Sequence, residues 1–240
     1  MDNYYGSSWE QKQERSFVES GLANAFLKQV FIIMALGLAI SGLSAWVVGN
    51  KLLAEEWLFL VMGPMRWVVL LAPLAFVMVL SFGIQKMSYS VASVVFGVYA
   101  LVMGISLAPI FLIYTSASLA KVFFISASTF GLMALVGMTT KIDLTKFGSI
   151  LMMAVLGLIV AGIVNYFLRS PLMEMIYSGA GVLIFCGLTA YDTQRLIKIG
   201  AQGDAESEGM RKIALMGALS LYLDFVNLFL YLLRFLGNRR

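Results

Sequence analysis

Ile213-Ala-Leu-Met-Gly-Ala-Leu-Ser-Leu-Tyr-Leu-Asp224-Phe-Val-Asn-Leu-Phe-Leu-Tyr-Leu-Leu-Arg-Phe-Leu236 decides the fold of this chain. A helix needs about 20 apolar residues to cross a hydrocarbon layer about 30 Å thick, and this stretch supplies them. Its polar residues Ser220, Asp224, Asn227 and Tyr231 recur at i, i+4, i+7 and i+11. They therefore share one helical face, and Leu, Phe and Val fill the others. Lipid cannot satisfy such a stripe, so the face must look into a bundle or onto water. An ionisable side chain at this depth costs roughly 2.5–3.5 kcal/mol on insertion scales, which makes Asp224 a functional candidate.

The preceding apolar segment holds a second one. Asp192 follows Phe185, Cys186, Leu188 and Ala190, with Thr189 on its face and Arg195 three residues on. The polar stretch Lys198–Lys212 turns the two segments into a hairpin, which places the carboxyl groups at comparable depths. Two like charges in low dielectric cannot both ionise cheaply, so a touching pair shares a proton and acts as a pH-dependent latch. Fully ionised, the pair repels and attracts a cation. Calcium takes six to eight oxygens, so two aspartates with Asn227, hydroxyls, carbonyls and water make a transit site and not a tight store. Simpler pairings compete with this reading: Asp192 with Arg195, Asp224 with Asn227 or a neighbouring span. Lys86, ending the second span on the same side, is either a partner for an aspartate or a topology charge.

Composition extends the membrane reading to the whole chain. Of 240 residues 60% are hydrophobic and 12% charged, and the mean hydropathy is +0.89. Soluble domains carry about 25% charged residues, so this is an all-α membrane protein and not a domain with a large core. Seven spans are expected at about 29–49, 67–85, 90–114, 120–140, 147–168, 174–197 and 213–236. Short polar loops between them imply an up-and-down bundle. Residues 1–28 form a polar tail ahead of one seven-span domain, 29–237. The tail is too polar for a cleavable signal peptide, so the first span serves as an uncleaved insertion signal. Trp57–Met65 is too short to span and belongs at the interface with Trp67.

The net charge of +4 needs no nucleic acid; basic residues at membrane borders set topology and touch lipid headgroups. Ten fall on the side of the N-terminus (Lys12, Arg15, Lys28, Lys86, Lys141, Lys146, Arg195, Lys198, Arg211 and Lys212) and seven on the other, which favours a cytoplasmic N-terminus. The basic ending Arg234, Arg239 and Arg240 pulls the opposite way. A single cysteine, Cys186, forms no intrachain disulfide or thiolate cluster and reads as a packing residue. With no histidine, His-based triads and His-ligated zinc are excluded. Ala100, Gly104 and Ala108 predict a close helix contact ahead of Pro109. Asp204, Glu206, Glu208 and Gly209 imitate an EF-hand start, but the twelfth position is Leu215, so the stretch reads as a solvated acidic loop. There is no nucleotide-binding motif and no convincing internal repeat.

The stretches Gly187-Leu-Thr-Ala-Tyr-Asp-Thr-Gln194, Ala218-Leu-Ser-Leu-Tyr-Leu-Asp-Phe-Val-Asn-Leu-Phe-Leu230 and Leu233-Arg-Phe-Leu-Gly237 closely resemble the Bax inhibitor-1 family, and within it the bacterial YccA-type branch. The resemblance covers essentially the whole chain. It implies a seven-helix bundle with the last helix central and a calcium leak regulated by pH. It also implies a buried aspartyl dyad, at Asp192 and Asp224, as sensor and gate. The family's basic partner falls near Lys86, where lysine keeps the charge but not the bidentate fork of arginine.

The expected function is thus a passive calcium or cation leak in the bacterial inner membrane, with no enzymatic activity and no cofactor beyond the permeating calcium. Asp192 and Asp224 gate it and meet calcium in transit; Lys86, Arg195, Ser220, Asn227 and Tyr231 support them. The expected partners are membrane lipids, calcium and other membrane proteins. The alternative is a non-transporting regulator of membrane-protein quality control or stress response that acts through protein contacts. A proton-coupled transporter ranks behind both. An intramembrane aspartyl protease ranks last, because Asp224 lacks the Gly-Asp pairing such an enzyme needs.

Overall fold

A computed structural model of the chain describes residues 3–54, 57, 63–203 and 207–240, with side chains from Ser20 onward. The helices are α1 (Asn3–Leu53), α2 (Met65–Gly83), α3 (Tyr89–Leu107), α4 (Ile110–Ile113), α5 (Ser116–Thr139), α6 (Gly148–Leu168), α7 (Pro171–Gly200) and α8 (Glu208–Leu236). Short 3₁₀ turns at Ile84–Lys86 and Leu144–Phe147 lead out of α2 and into α6. Seven candidate spans result, the third made of α3 and α4 together. Serine or threonine starts α3, α5, α7 and α8: Ser88, Thr115, Ser170 and Ser207 each accept a first-turn N–H. Pro109 has no N–H to continue α3, which stops at Leu107 before α4 restarts the rise.

Several helices run past the sequence-based limits, whereas α6 keeps within them. The largest overrun is in α1, whose backbone is helical from Asn3 and whose apolar span begins at Ser20. Phe26, Leu27 and Val30 are buried in the core, so packing extends the membrane helix into the stretch assigned to the polar tail. Of the proposed interfacial stretch Trp57–Met65, residues 58–62 lie outside the described residues. Trp57 and Trp67 are exposed, and the Arg66 guanidinium stands 5.1 Å from the Trp67 ring. Asp204–Glu206 of the acidic loop also lie outside the described residues.

Helix α8 is the centre of the bundle. It packs against α1, α3, α5 and α7, whereas α2 rests mainly on α3 and α6 on α7. Burial follows: 61% of the apolar window of α8 is enclosed, against 6% for α6. The large hydrophobics exposed on α2 and α6, such as Phe82, Leu74, Met153 and Phe167, therefore face lipid. The stripe Ala100–Gly104–Ala108 does bring helices together. A Cβ at Gly104 would collide with the Ser41 carbonyl of α1. At the end of the bundle opposite the start of α1, here the far end, the last residues fold back. Arg240 N–H donates to Ile113 O at 2.9 Å and Asn238 N–H to Ser118 Oγ at 2.9 Å. Arg239 pairs with Glu174 of α7 at 2.7 Å.

Candidate functional site

The hairpin α7–α8 is drawn tight by small residues. At Gly217 of α8 a side chain would meet Leu196 of α7, and at Gly181 of α7 it would meet the Tyr231 ring. Helix α5 closes on α7 backbone to backbone, since a Cβ at Gly137 would stand 3.0 Å from Ala190 C and Cα. These approaches fix the stretch Thr189–Gln194, whose residues are buried apart from half-buried Tyr191.

Within that frame Asp192 and Asp224 meet. They are 8% and 5% exposed, and their carboxyl groups are in hydrogen-bonding contact. Ser220, one turn before Asp224, donates its hydroxyl to Asp192 Oδ2. Asp224 Oδ2 is buried with no hydrogen-bond donor among the described residues. Two carboxylates are acceptors only, so a proton held between them would satisfy that oxygen. Among the described residues no third acidic side chain joins the pair. A cation there would have the two aspartates, Ser220 and water as oxygen ligands.

Asp192 stands at the floor of a hollow of about 270 Å³ between α2, α7 and α8. Ser81, Arg195 and Ser220 supply its polar lining, and Val77, Ile199 and Leu223 are among its apolar walls. A second hollow of about 360 Å³ shares Ile213 and Met216 and continues toward Gln85 and Lys212, at the end of the bundle where α1 begins. This end is called the near end below.

The supporting residues divide. Ser220 is at the pair, and Arg195 shares the hollow but forms no ion pair with Asp192 within 4.0 Å among the described residues. Lys86 is exposed at the close of its 3₁₀ turn and pairs with neither aspartate. Asn227 turns away: its Nδ2 donates to Leu223 O of its own helix at 2.8 Å. Tyr231 also lies elsewhere, stacked on Phe185 at 5.7 Å toward the far end. Both share the polar face of α8 with Asp224, but the bundle gives that face different neighbours along its length. Cys186 is half-buried in the packing of α7.

Three polar arrangements escape the sequence. Gln194 is buried and clasps the α5–α6 loop, donating to Ile142 O and accepting from Leu144 N–H, both at 2.8 Å. Beside it Lys198 pairs with exposed Asp143 at 2.6 Å. Hydrogen bonds from the Lys198 ammonium and then Thr145 hold the Asp143 carboxyl down to about 2. In the centre, Ser41 Oγ and Tyr222 OH are 2.6 Å apart, and Ser41 also reaches the Ala100 carbonyl at 2.7 Å. Tyr99, edge-on to Tyr222, has a buried hydroxyl with no partner. The signal for the first was a glutamine two residues from a membrane aspartate. Ser41 and Tyr222 carried no periodic signal.

Comparison with known proteins matches this architecture. Residues 23–240 match the family described as inhibitor of apoptosis-promoting Bax1. The inner membrane protein YbhL of Escherichia coli strain K12 is 43% identical over 220 residues, covering 90% of this chain and 92% of that protein. A protein of Borreliella burgdorferi is 40% identical over 91% of this chain and 94% of its own length. A protein of Rickettsia prowazekii is 39% identical over the whole of both chains. YbhL supports the family expected from the terminal motifs and does not single out its YccA-type branch.

Proposed function

The chain belongs to the Bax inhibitor-1 family, and from that premise we propose that it is a passive, pH-sensitive leak for calcium and other cations, gated by Asp192 and Asp224. The observation that carries this reading is the pairing of two buried carboxyl groups, one of which, Asp192, lines a hollow on the near-end side of the bundle. With one shared proton the carboxyl groups bond to each other and hold α7 against α8. With that proton gone, two charges about 4 Å apart at an effective dielectric of about 20 repel by about 4 kcal/mol. That is enough to bias a packed helix pair between two arrangements. A hydrated cation then finds Asp192, Asp224 and Ser220 as successive oxygen ligands, too few to trap it. Arg195, in the same hollow, is the cation nearest to compensate the ionised pair. The kinship with an inner membrane protein supports that membrane as the location. The excess of basic residues at the near end supports a cytoplasmic N-terminus.

A second reading has its own support. Helix α1 is 51 residues long, far beyond the roughly 20 a bilayer needs, so its first part projects from the membrane as a helix. That projection suits a regulator that engages quality-control machinery without transport.

Calcium flux into liposomes at pH 6, 7 and 8 tests the leak, comparing wild type with Asp192→Asn and Asp224→Asn. The expected result is a protein-dependent leak whose pH profile both substitutions shift or abolish. No leak above empty liposomes at any pH, with folded protein, sinks the channel reading. Deleting residues 1–20 separates the two functions: a leak survives it, and a tail-dependent regulator loses its effect.

A further inference from the structure

We propose that a groove between α6 and the far ends of α7 and α8 binds the phosphate headgroup of an anionic phospholipid. The groove encloses about 590 Å³, the size of a small-molecule site, and is lined by Asn165, Tyr166, Tyr177 and Arg234 above Ile159 and Gly162. It lies at the far end, away from the aspartates, and touches the α7–α8 hairpin through the Tyr231 ring.

Its polar groups are donors. Arg234 stands two residues before the end of α8 and donates to Tyr177 OH at 3.3 Å. Its guanidinium also sits 5.6 Å from the Tyr231 ring centre. Among the described residues no carboxylate pairs with it; Glu174, the acidic group at this end, is held by Arg239 at 2.7 Å. Asn165 is 8% exposed. Its Oδ1 accepts from Ser170 N–H at 3.1 Å, which leaves Nδ2 with no partner among the described residues. Tyr177 OH accepts from Arg234 and keeps its own proton to give. One guanidinium, one amide and one phenol thus line one groove with no carboxylate paired to them among the described residues, which is the donor set a phosphate recognises.

The groove's depth and walls identify the phosphate's source. Asn165, Tyr177 and Arg234 all lie within about two turns of the far helix ends, the level of headgroups and aromatic belts. Below them α6 is the least enclosed span, and a side chain at Gly162 would meet nothing within 4 Å. That open furrow between Ile159 and Ile163 gives an acyl chain a track running down from the phosphate. A soluble phosphate has no use for it.

The test counts lipids retained by the purified full chain in native mass spectrometry. The protein is equilibrated with phosphatidylglycerol and phosphatidylcholine of the same acyl chains. One phosphatidylglycerol should be held preferentially. Arg234→Gln should weaken that retention at least about tenfold, by the loss of a charge-assisted bond. Arg66→Gln, an exposed arginine outside the groove, should leave it unchanged. Gly162→Leu fills the furrow without disturbing a packed neighbour, so it should also cut retention while the lipid-free melting temperature does not fall. It carries the test alone if Arg234→Gln fails to fold. Equal retention of both lipids, equal effects of the two arginine variants, or displacement by millimolar inorganic phosphate would each overturn the proposal.

Discussion

Replacing Gly137 by alanine puts the backbone-to-backbone contact of α5 with α7 to the test. Its Cβ would stand 3.0 Å from both Ala190 C and Cα, with the Ala190 carbonyl oxygen closer still, whereas ordinary contact begins near 3.4 Å. The obstruction is backbone, so no rotamer change relieves it, and α5 must part from α7 by about half an ångström or more. Overpacking of this kind costs about 1–3 kcal/mol. Alanine also gains up to about 1 kcal/mol of helix propensity over glycine, which masks part of that loss. Gly131, in the same helix and with nothing within 4 Å of its Cβ position, supplies the control. Gly131→Ala takes the same propensity gain without the collision, so the difference between the variants isolates the steric cost. At roughly 2–4 °C per kcal/mol for a chain of this size, Gly137→Ala should melt about 2–12 °C below Gly131→Ala. Tryptophan fluorescence or circular dichroism in detergent reads the shift. Melting of the two variants within a degree of each other would refute the backbone contact, and with it the argument that α5 fixes the position of Asp192.

Gln194→Leu removes both bonds of the loop clasp, at about 0.5–1.5 kcal/mol each, and should speed amide exchange across residues 141–147. Unchanged exchange at the Leu144 amide would show that the clasp does not form. At the Ser41–Tyr222 contact the two deletions should be unequal. Tyr222→Phe leaves Ser41 its carbonyl partners and costs about 0.5–1.5 kcal/mol, whereas Ser41→Ala strands a buried phenol and costs about 1–3 kcal/mol. Equal losses would mean that Tyr222 is not the donor. The Asp143–Lys198 pair sets a pH window. Asp143 sits at about 2 when folded, below its ordinary 3.8, so the pair's stabilisation is present above about pH 4 and lost as pH falls through 2. Wild type and Asp143→Asn should therefore differ in melting temperature at pH 5 and converge toward pH 2; a constant difference would assign the effect to something other than ionisation.

The sequence carried the number and order of the spans because hydropathy over about 20 residues is a strong signal and the loops are short and polar. It carried the aspartyl pair for a related reason: two acids in apolar hairpin arms have few other places to go. Depth along a helix was readable; direction was not. Ser220, Asp224, Asn227 and Tyr231 share a face by periodicity, yet only the first two reach the pair. Asn227 is spent on Leu223 O, and Tyr231 lies about ten ångströms of helix rise from Asp224. Which neighbour a face meets depends on how the helices cross, and that is set by glycines such as Gly137 and Gly217 whose partners lie far away in sequence. Gln194 and Ser41 were illegible for the same reason: a lone polar residue in a span has many candidate partners, and the tertiary fold selects one.

The asymmetry of the hairpin constrains how the proposed leak opens. From Asp192 toward the near end the hollow already runs past Ser81, Arg195 and Ile199. Toward the far end the same two helices are shut: Phe185 stacks on Tyr231, Gly181 receives that ring, and Leu228 and Leu232 are buried. Repulsion between ionised carboxylates acts at the boundary of these halves, so what resists it must lie on the closed side. Besides the Tyr177–Arg234 hydrogen bond and the Tyr177–Tyr231 ring contact, an ion pair and an aromatic stack hold that side. The Arg239–Glu174 pair is largely exposed, with side chains 58% and 33% accessible, and such pairs contribute no more than about 1 kcal/mol. Against a repulsion of about 4 kcal/mol that pair gives way first. The aromatic stack adds about 0.5–1.5 kcal/mol, and within a membrane its remaining hold is packing and not release of water. The stack is thus at least as strong as the ion pair, and with the packing around it forms the far-side closure that the proposed gate must part. Tyr231, expected as a polar support for the aspartates, would bear on the proposed leak through its ring.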